Sequence, residues 1–199
     1  YPNEAEPVWS KYSTHAVAHT LDVYSRLSFD YPYPVAQSVN TWDRGGMEYP
    51  MITFNGYRPD PPKLEKDKPA TTKANEQRAY SRDIKYSLIG VIIHEIGHIY
   101  FPMVVNSDER QWTWMDEGLN TFLEYVAELE WEEKYPAFGG ETNILDYIPS
   151  YMASSNQVPI MTQSDSILQF GPNAYVKPAA ALTVLRETVM VILVIQIQL

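Results

Sequence analysis

The spacing of apolar residues along the first half of the chain predicts two helices. One follows a capping Ser13 or Thr14 and runs to about Leu27 with helical periodicity. The other builds from about Ala74 to His98 and is apolar on most of its sides. A helix that is apolar nearly all round is a buried one, so this segment is expected in the centre of the domain.

Between these helices, short β-prone segments flank a glycine-rich stretch. Val35–Val39 and Met51–Phe54 are predicted as strands on either side of GGMEYP, residues 45–50. Pro50 cannot donate to a β-ladder, which places the adjoining strand at a sheet edge. An edge strand can accept an extended peptide as an added strand. We therefore predict a small mixed sheet with an edge strand beside the functional cleft.

The second half of the chain is predicted to be mainly helical. A helix begins at Asp116, a short one covers Ile144–Met152, and Pro178 suits the first turn of another over Ala179–Thr188. Residues 56–73 are rich in proline and alternating charge, which is typical of a surface loop. A small sheet followed by helices indicates the α+β class.

The end of the chain differs from what precedes it. Residues 190–199, MVILVIQIQL, are apolar, uncharged and β-prone, but too few to span a bilayer. We therefore assign residues 1–189 to one domain and residues 190–199 to an atypical apolar tail. Because the chain begins with Tyr1 and not with Met, we expect an internal fragment or a processed product.

Composition narrows the classes of partner. The 199 residues include 15 basic and 25 acidic side chains, a net charge of −10, which disfavours nucleic acid or an anionic membrane. The absence of cysteine excludes disulfides and thiolate metal ligands. No run is expected to reach the length of a membrane-spanning helix, so membrane insertion is not predicted. The oligomeric state stays open, as does the compartment, with a secreted or periplasmic location favoured.

The candidate chemistry lies in HEIGH, residues 94–98. His94 and His98 are four residues apart, so on a helix both imidazoles lie on one face and can reach one ion. Zinc accepts imidazole nitrogen and carboxylate oxygen without a preferred d-electron geometry. Glu95 projects about 100° away around the helix, which excludes it as a ligand beside them but lets it reach a metal-bound water.

A catalytic zinc needs a third protein ligand and an open position for water. Glu117 follows in WMDEGLNTF, at the start of the next predicted helix, which could bring it against the first. We therefore predict one Zn²⁺ ion held by His94, His98 and Glu117, with Glu95 as general base.

HEIGH, eighteen residues, and then Glu117 in DEGLNTF together resemble the gluzincin zinc aminopeptidases, the family of aminopeptidase N and leukotriene hydrolase. Gly45-Gly46-Met47-Glu48 resembles the family's exopeptidase motif, although Tyr49 stands where the family has asparagine. Tyr175, in AYVKPAAAL, resembles the family's catalytic tyrosine. The motifs occur in the family's order, and the resemblance extends over most of the chain.

The resemblance implies a thermolysin-like catalytic domain and roles for the remaining motif residues. Because the family's catalytic domain lies between a β-rich domain and a helical one, it also implies that residues 1–189 are an incomplete catalytic domain without its flanking domains. Glu48 would bind the free α-amine of a peptide substrate, within the substrate-binding segment Gly45, Gly46, Met47 and Glu48. Tyr175 would donate a hydrogen bond to the oxyanion of the reaction. These roles imply an aminopeptidase that releases N-terminal residues from peptides with a free N-terminus. The alternatives are an endopeptidase with the same zinc chemistry and a non-catalytic module or scaffold that retains the fold. A further alternative is a fragment that binds zinc but turns over poorly without its flanking domains.

Overall fold

The structure is a computed structural model of the chain. It describes residues 1–60, 79–138 and 140–197, the last four of these by their backbone alone. The loop and helix start predicted within residues 61–78 lie outside these described residues. Helices and one small sheet are present, in agreement with an α+β chain. The described chain divides into two compact units, Tyr1–Tyr100 and Phe101–Leu199.

Two helices form the frame of the first unit. Helix α1 covers Val8–Leu27 and therefore begins earlier than the predicted caps at Ser13 and Thr14. Helix α2 covers Arg82–His98, preceded by non-helical residues 79–81. The Ser81 hydroxyl accepts a hydrogen bond from the Ile84 amide at 3.1 Å, which satisfies one of the free N–H groups of the first turn.

Helix α2 ends where proline chemistry requires it. The residue before a proline is pushed out of the helical region, and Phe101, before Pro102, has φ −134° and ψ 110°. Pro102 also has no N–H to offer the carbonyl of His98, four residues earlier. The α-helical geometry therefore ends at His98 and is followed by a π-helical segment, Ile99–Val104, which is kinked at Phe101.

Three short strands form a mixed sheet in the order β1-β3-β2. Strand β1 (Gln37–Asn40) runs parallel to β3 (Ile52–Asn55), and β2 (Gly46–Tyr49) runs antiparallel to β3. The prediction treated GGMEYP as a connection between strands, which is wrong, because most of that stretch is itself strand β2. The edge position expected from Pro50 is wrong for the strand predicted over Met51–Phe54, because β3 lies between β1 and β2; the edge strand next to Pro50 is β2.

The core of the first unit lies between α1 and α2. Trp9, Ala16 and Tyr24 of α1 are fully buried, as are Ile92 and Ile96 of α2. From Leu88 to His98, most side chains of α2 are buried. The helix that carries HEIGH is therefore held by its apolar neighbours independently of any metal ion.

The second unit is helical, as predicted. Its helices are α3 (Leu119–Trp131), two single turns α4 (Ile144–Tyr147) and α5 (Pro149–Met152), and α6 (Lys177–Ile197). Their shared core contains these buried residues: Tyr125, Ile144, Ile148, Tyr151, Ala179 and Ala180. The short helix predicted over Ile144–Met152 is confirmed, divided by Pro149.

Helix α6 is longer than the sequence predicted and includes the apolar tail. It extends through Ile197, so the β-prone interpretation of residues 190–199 is wrong for all the described part of that segment. Beyond Thr183 its described side chains are exposed, and at least half of the surface of Val184, Leu185 and Val191 is accessible to solvent. Local i→i−4 hydrogen bonding therefore outweighs β-propensity in this stretch.

One described segment is long and apolar enough to cross a membrane by length and composition. It covers Arg82–Val104, 23 residues, contrary to the expectation that no run reaches this length. In the fold, 67% of its most apolar window is buried. The central helix of a folded domain accounts for this pattern.

Truncation of the α2 core should be costly. We expect Ile92→Ala to lower the free energy of unfolding by about 2–5 kcal/mol, because Ile92 is fully buried and the removed atoms would leave a cavity in the core. Val184→Ala, on the exposed part of α6, should change it by less than about 0.5 kcal/mol. Urea unfolding followed by circular dichroism measures both. Equal losses would contradict the assignment of α2 as the core helix.

Candidate metal centre

The two histidines of α2 face each other across one turn of the helix. Their Nε2 atoms are 3.0 Å apart, and the ring planes lie at 89°. Two nitrogens that bind one tetrahedral zinc at 2.0–2.1 Å would be separated by about 3.3 Å. The observed spacing therefore fits a shared ion after a shift of a few tenths of an ångström.

Glu95 is buried beside this pair. Its side chain is 5% exposed, and among the described residues its Oε2 atom has no hydrogen-bond partner. Burial raises the pKa of the Glu95 carboxyl to about 8; the neighbouring Glu48 acts in the same direction, and charge on His94 and His98 opposes it. A buried carboxylate with an unused oxygen is suited to hold a proton during a reaction.

Strand β2 lies directly against this carboxylate. A β-carbon on Gly46 would overlap the Glu95 side chain, so the close approach depends on glycine. Side chains alternate along a strand, which places Glu48 on the same face as Gly46. A Glu48 carboxylate oxygen lies within 4.8 Å of a His98 ring nitrogen. The first unit thus brings the GGME motif and the HEIGH motif together.

In the second unit, the structure places Glu117 and Tyr175 on two neighbouring turns. Glu117 lies in a π-helical turn, Trp114–Gly118, and α3 begins after it. The helix was predicted to start at Asp116, within this turn. Tyr175 lies in a similar turn, Pro172–Val176, at the entrance of α6, as expected. A β-carbon on Gly118 would overlap the Pro178 ring of α6 and the Ala174 carbonyl of the Tyr175 turn. The two turns are therefore packed without room for a side chain at Gly118.

The metal-binding side chains predicted from the sequence are divided between the two units. His94 and His98 offer ring nitrogens in the first unit, and Glu117 offers a carboxylate in the second. Imidazole and carboxylate together are a donor set that zinc accepts. Their assembly around one ion stays a prediction.

Sequence reasoning missed a set of hydrogen bonds next to the Glu117 turn. Ser164 Oγ pairs with the hydroxyl of Thr113, the residue that precedes the turn, and donates to the Gln111 carbonyl at 2.9 Å. Arg110 and Asp165 form a bidentate ion pair at 3.0 and 3.2 Å on the surface nearby. These partners are more than fifty residues apart in the chain, so no local pattern signals them.

The chain is similar to a known aminopeptidase over part of its length. No protein-family model matches the chain, and no solved structure matches it. Over 122 residues the chain is 26% identical to Aminopeptidase M1 of Arabidopsis thaliana; the match covers 59% of this chain and 12% of that relative's length. The similarity indicates a relationship to aminopeptidases, and it involves a small part of the relative.

The raised pKa of Glu95 predicts how the stability of metal-free protein depends on pH. The folded state holds the Glu95 proton more tightly than the unfolded state, whose pKa is near 4.5. The stability from this group is complete below that value and is lost as the pH rises to about 8, by at most about 1.4 kcal/mol per pH unit.

Glu95→Gln, which cannot ionise, should remove this loss. In chelator-treated protein, the melting temperature of the wild type should therefore fall relative to that of the variant between pH 5 and pH 8. Differential scanning calorimetry at several pH values measures the difference. Parallel curves for the two proteins would show that Glu95 is not desolvated in the fold.

Proposed function

We propose that this chain is part of the catalytic domain of a zinc metallopeptidase of the gluzincin aminopeptidase family, with a thermolysin-like fold. The observation that carries the proposal is the pair of histidine Nε2 atoms, 3.0 Å apart, with the buried Glu95 carboxylate beside them. The similarity to Aminopeptidase M1 supports the peptidase class. The reaction is hydrolysis of the N-terminal peptide bond of a peptide.

The proposed ligands of the ion are His94, His98 and Glu117. When bound, zinc acidifies a coordinated water and polarises the scissile carbonyl. A donor set of two neutral imidazoles and one carboxylate leaves a net positive charge at the centre. The buried surroundings of α2 keep bulk water away from this charge and strengthen its effect.

Glu95 acts as the general base. Its carboxylate accepts a proton from the attacking water and returns it to the leaving amine. A general base accepts and returns a proton most effectively when its pKa lies near the pH of the solution. Burial raises the pKa of Glu95 towards this range. Gly46 lies against the carboxylate and limits where it can move.

Tyr175 and Glu48 act on the substrate itself. The Tyr175 hydroxyl donates a hydrogen bond to the carbonyl oxygen as negative charge develops there, an interaction that typically contributes about 2.7–4 kcal/mol. Glu48 accepts hydrogen bonds from the free α-amine. It lies on β2, whose outer edge is open in the described sheet, so an extended peptide can pair with the strand and present its N-terminus to Glu48.

Replacement of the general base separates catalysis from metal binding. Wild-type protein should contain one zinc per chain and cleave aminoacyl-anilides. Glu95→Gln should keep the zinc and lose about 10²–10⁴-fold in kcat, because the proton acceptor is gone. Plasma mass spectrometry and a chromogenic assay measure the two quantities.

Glu133→Gln is the matched control, since Glu133 is exposed in the second unit. It should change neither zinc content nor kcat. Retained turnover in Glu95→Gln would remove that residue from the base role. Zinc without turnover in the wild type would favour the non-catalytic module.

The role of Glu48 is tested by the substrate's N-terminus. Glu48→Ala should reduce kcat/KM for peptides with a free amine by about 10–150-fold, the range for losing hydrogen bonds to a charged group. Internal cleavage of N-acetylated peptides should not fall. The comparison uses matched free and acetylated peptides, with products separated by liquid chromatography. Equal losses on both, or efficient cleavage of acetylated peptides by the wild type, would favour the endopeptidase.

A further inference from the structure

A cavity of about 630 Å³ lies on the side of the sheet that faces away from α2. Met47, Phe54 and Val39 form one row across the three strands and line it. Because Gly46 faces Glu95, the alternation of a strand turns its neighbour Met47 to the opposite side. The row of Met47, Phe54 and Val39 therefore lies on the opposite face of the sheet from Glu48 and Glu95, while the backbone of Gly45 and Gly46 borders the cavity.

Two guanidinium groups line this cavity. Arg58 donates through Nε to the Asn40 side chain, which orients the planar group, and no hydrogen bond from its two Nη atoms joins them to another described residue. Arg44 is exposed on the loop before β2. Within the part of the chain that the structure describes, no carboxylate pairs with either arginine; Asp43 is the acidic residue of the lining. The cavity is thus locally basic in a chain with a net charge of −10.

The rest of the lining is apolar and open to solvent. Trp42 is 81% exposed, Met47 is 45% exposed, and Phe54 is half-buried between them and Val39. Large apolar side chains around a guanidinium fork suit a ligand that combines a carboxylate with aliphatic carbon. An acidic side chain on a peptide has this chemistry.

The position of β2 gives such a peptide a path to the cavity. Strand β2 is at the end of the described sheet, with one edge unpaired by another described strand. A peptide added along that edge alternates its side chains between the two faces. Every second side chain would then lie on the face of Met47, where the arginines are.

We propose that this cavity is an exosite that binds an acidic side chain of an extended peptide paired with β2. Arg58 holds the carboxylate with its Nη fork, Arg44 adds a second cation, and Trp42 and Met47 contact the aliphatic part. The exosite goes beyond the proposed hydrolysis and binds peptide whether or not the chain turns it over.

The test uses a blocked peptide that cannot serve as an aminopeptidase substrate. Acetyl-EAEAEA-amide places all its carboxylates on one face of an extended strand, and acetyl-QAQAQA-amide is its neutral match. Isothermal titration calorimetry at low salt should show the acidic peptide binding at least ten-fold more tightly. Affinity should fall at least ten-fold in Arg58→Gln and less in Arg58→Lys, which keeps the charge and loses the fork.

Arg44→Gln is the second variant, because the exposed Arg44 side chain carries no contact that the fold depends on. It should also weaken binding of the acidic peptide. Arg186→Gln, on the exposed part of α6, makes the same change of charge elsewhere and should leave binding unchanged. Melting temperatures of all variants check that the fold is retained.

Several results would overturn the exosite. Equal affinity for the two peptides would show that the carboxylates are not recognised. Equal losses of affinity in Arg44→Gln and Arg186→Gln would show that binding depends only on the net charge of the protein. Tighter binding of inorganic phosphate or of oligo-dT than of the acidic peptide would assign the arginines to another ligand. Because no measurement here involves zinc or turnover, failure of the exosite is distinct from failure of the proposed hydrolysis.

Discussion

The contact of Gly46 with the Glu95 side chain is the constraint on which the first unit's site depends. A bare α-carbon lets the backbone of β2 approach a carboxylate on α2 that any side chain would displace. The same contact sets which face of the strand carries Glu48 and which carries Met47. The Glu95 carboxyl is buried there, and this burial is the largest cause of the rise in its pKa.

The parts of the site that depend on one helix are predictable from sequence. The spacing of His94 and His98 fixes their common face in any α-helix, and the apolar residues around them indicate burial before a structure is seen. The turn with Tyr175 follows from Pro178, whose fixed φ suits a helix start. Each of these inferences involves residues within one or two turns of each other.

The parts that depend on pairing between segments are not predictable in the same way. Glycine and proline in GGMEYP have low β-propensity, yet β2 forms because β3 offers it a partner and α2 a surface. Residues 190–197 have high β-propensity, but they continue an established helix and have no described strand to pair with. The hydroxyl pair of Thr113 and Ser164, and the row of Val39, Phe54 and Met47, likewise need the register that only the fold supplies.

The end of α2 at His98 has an electrostatic consequence. The peptide dipoles of an α-helix sum to a partial negative charge at the carboxyl end. Because Phe101 and Pro102 stop the helix, this negative end lies within one turn of both imidazoles. A cation placed there gains about 0.3–1 kcal/mol from the helix itself. Because Pro102 ends the α-helix close to His98, the histidine pair binds a positive ion more favourably than the same pair would in the middle of a helix.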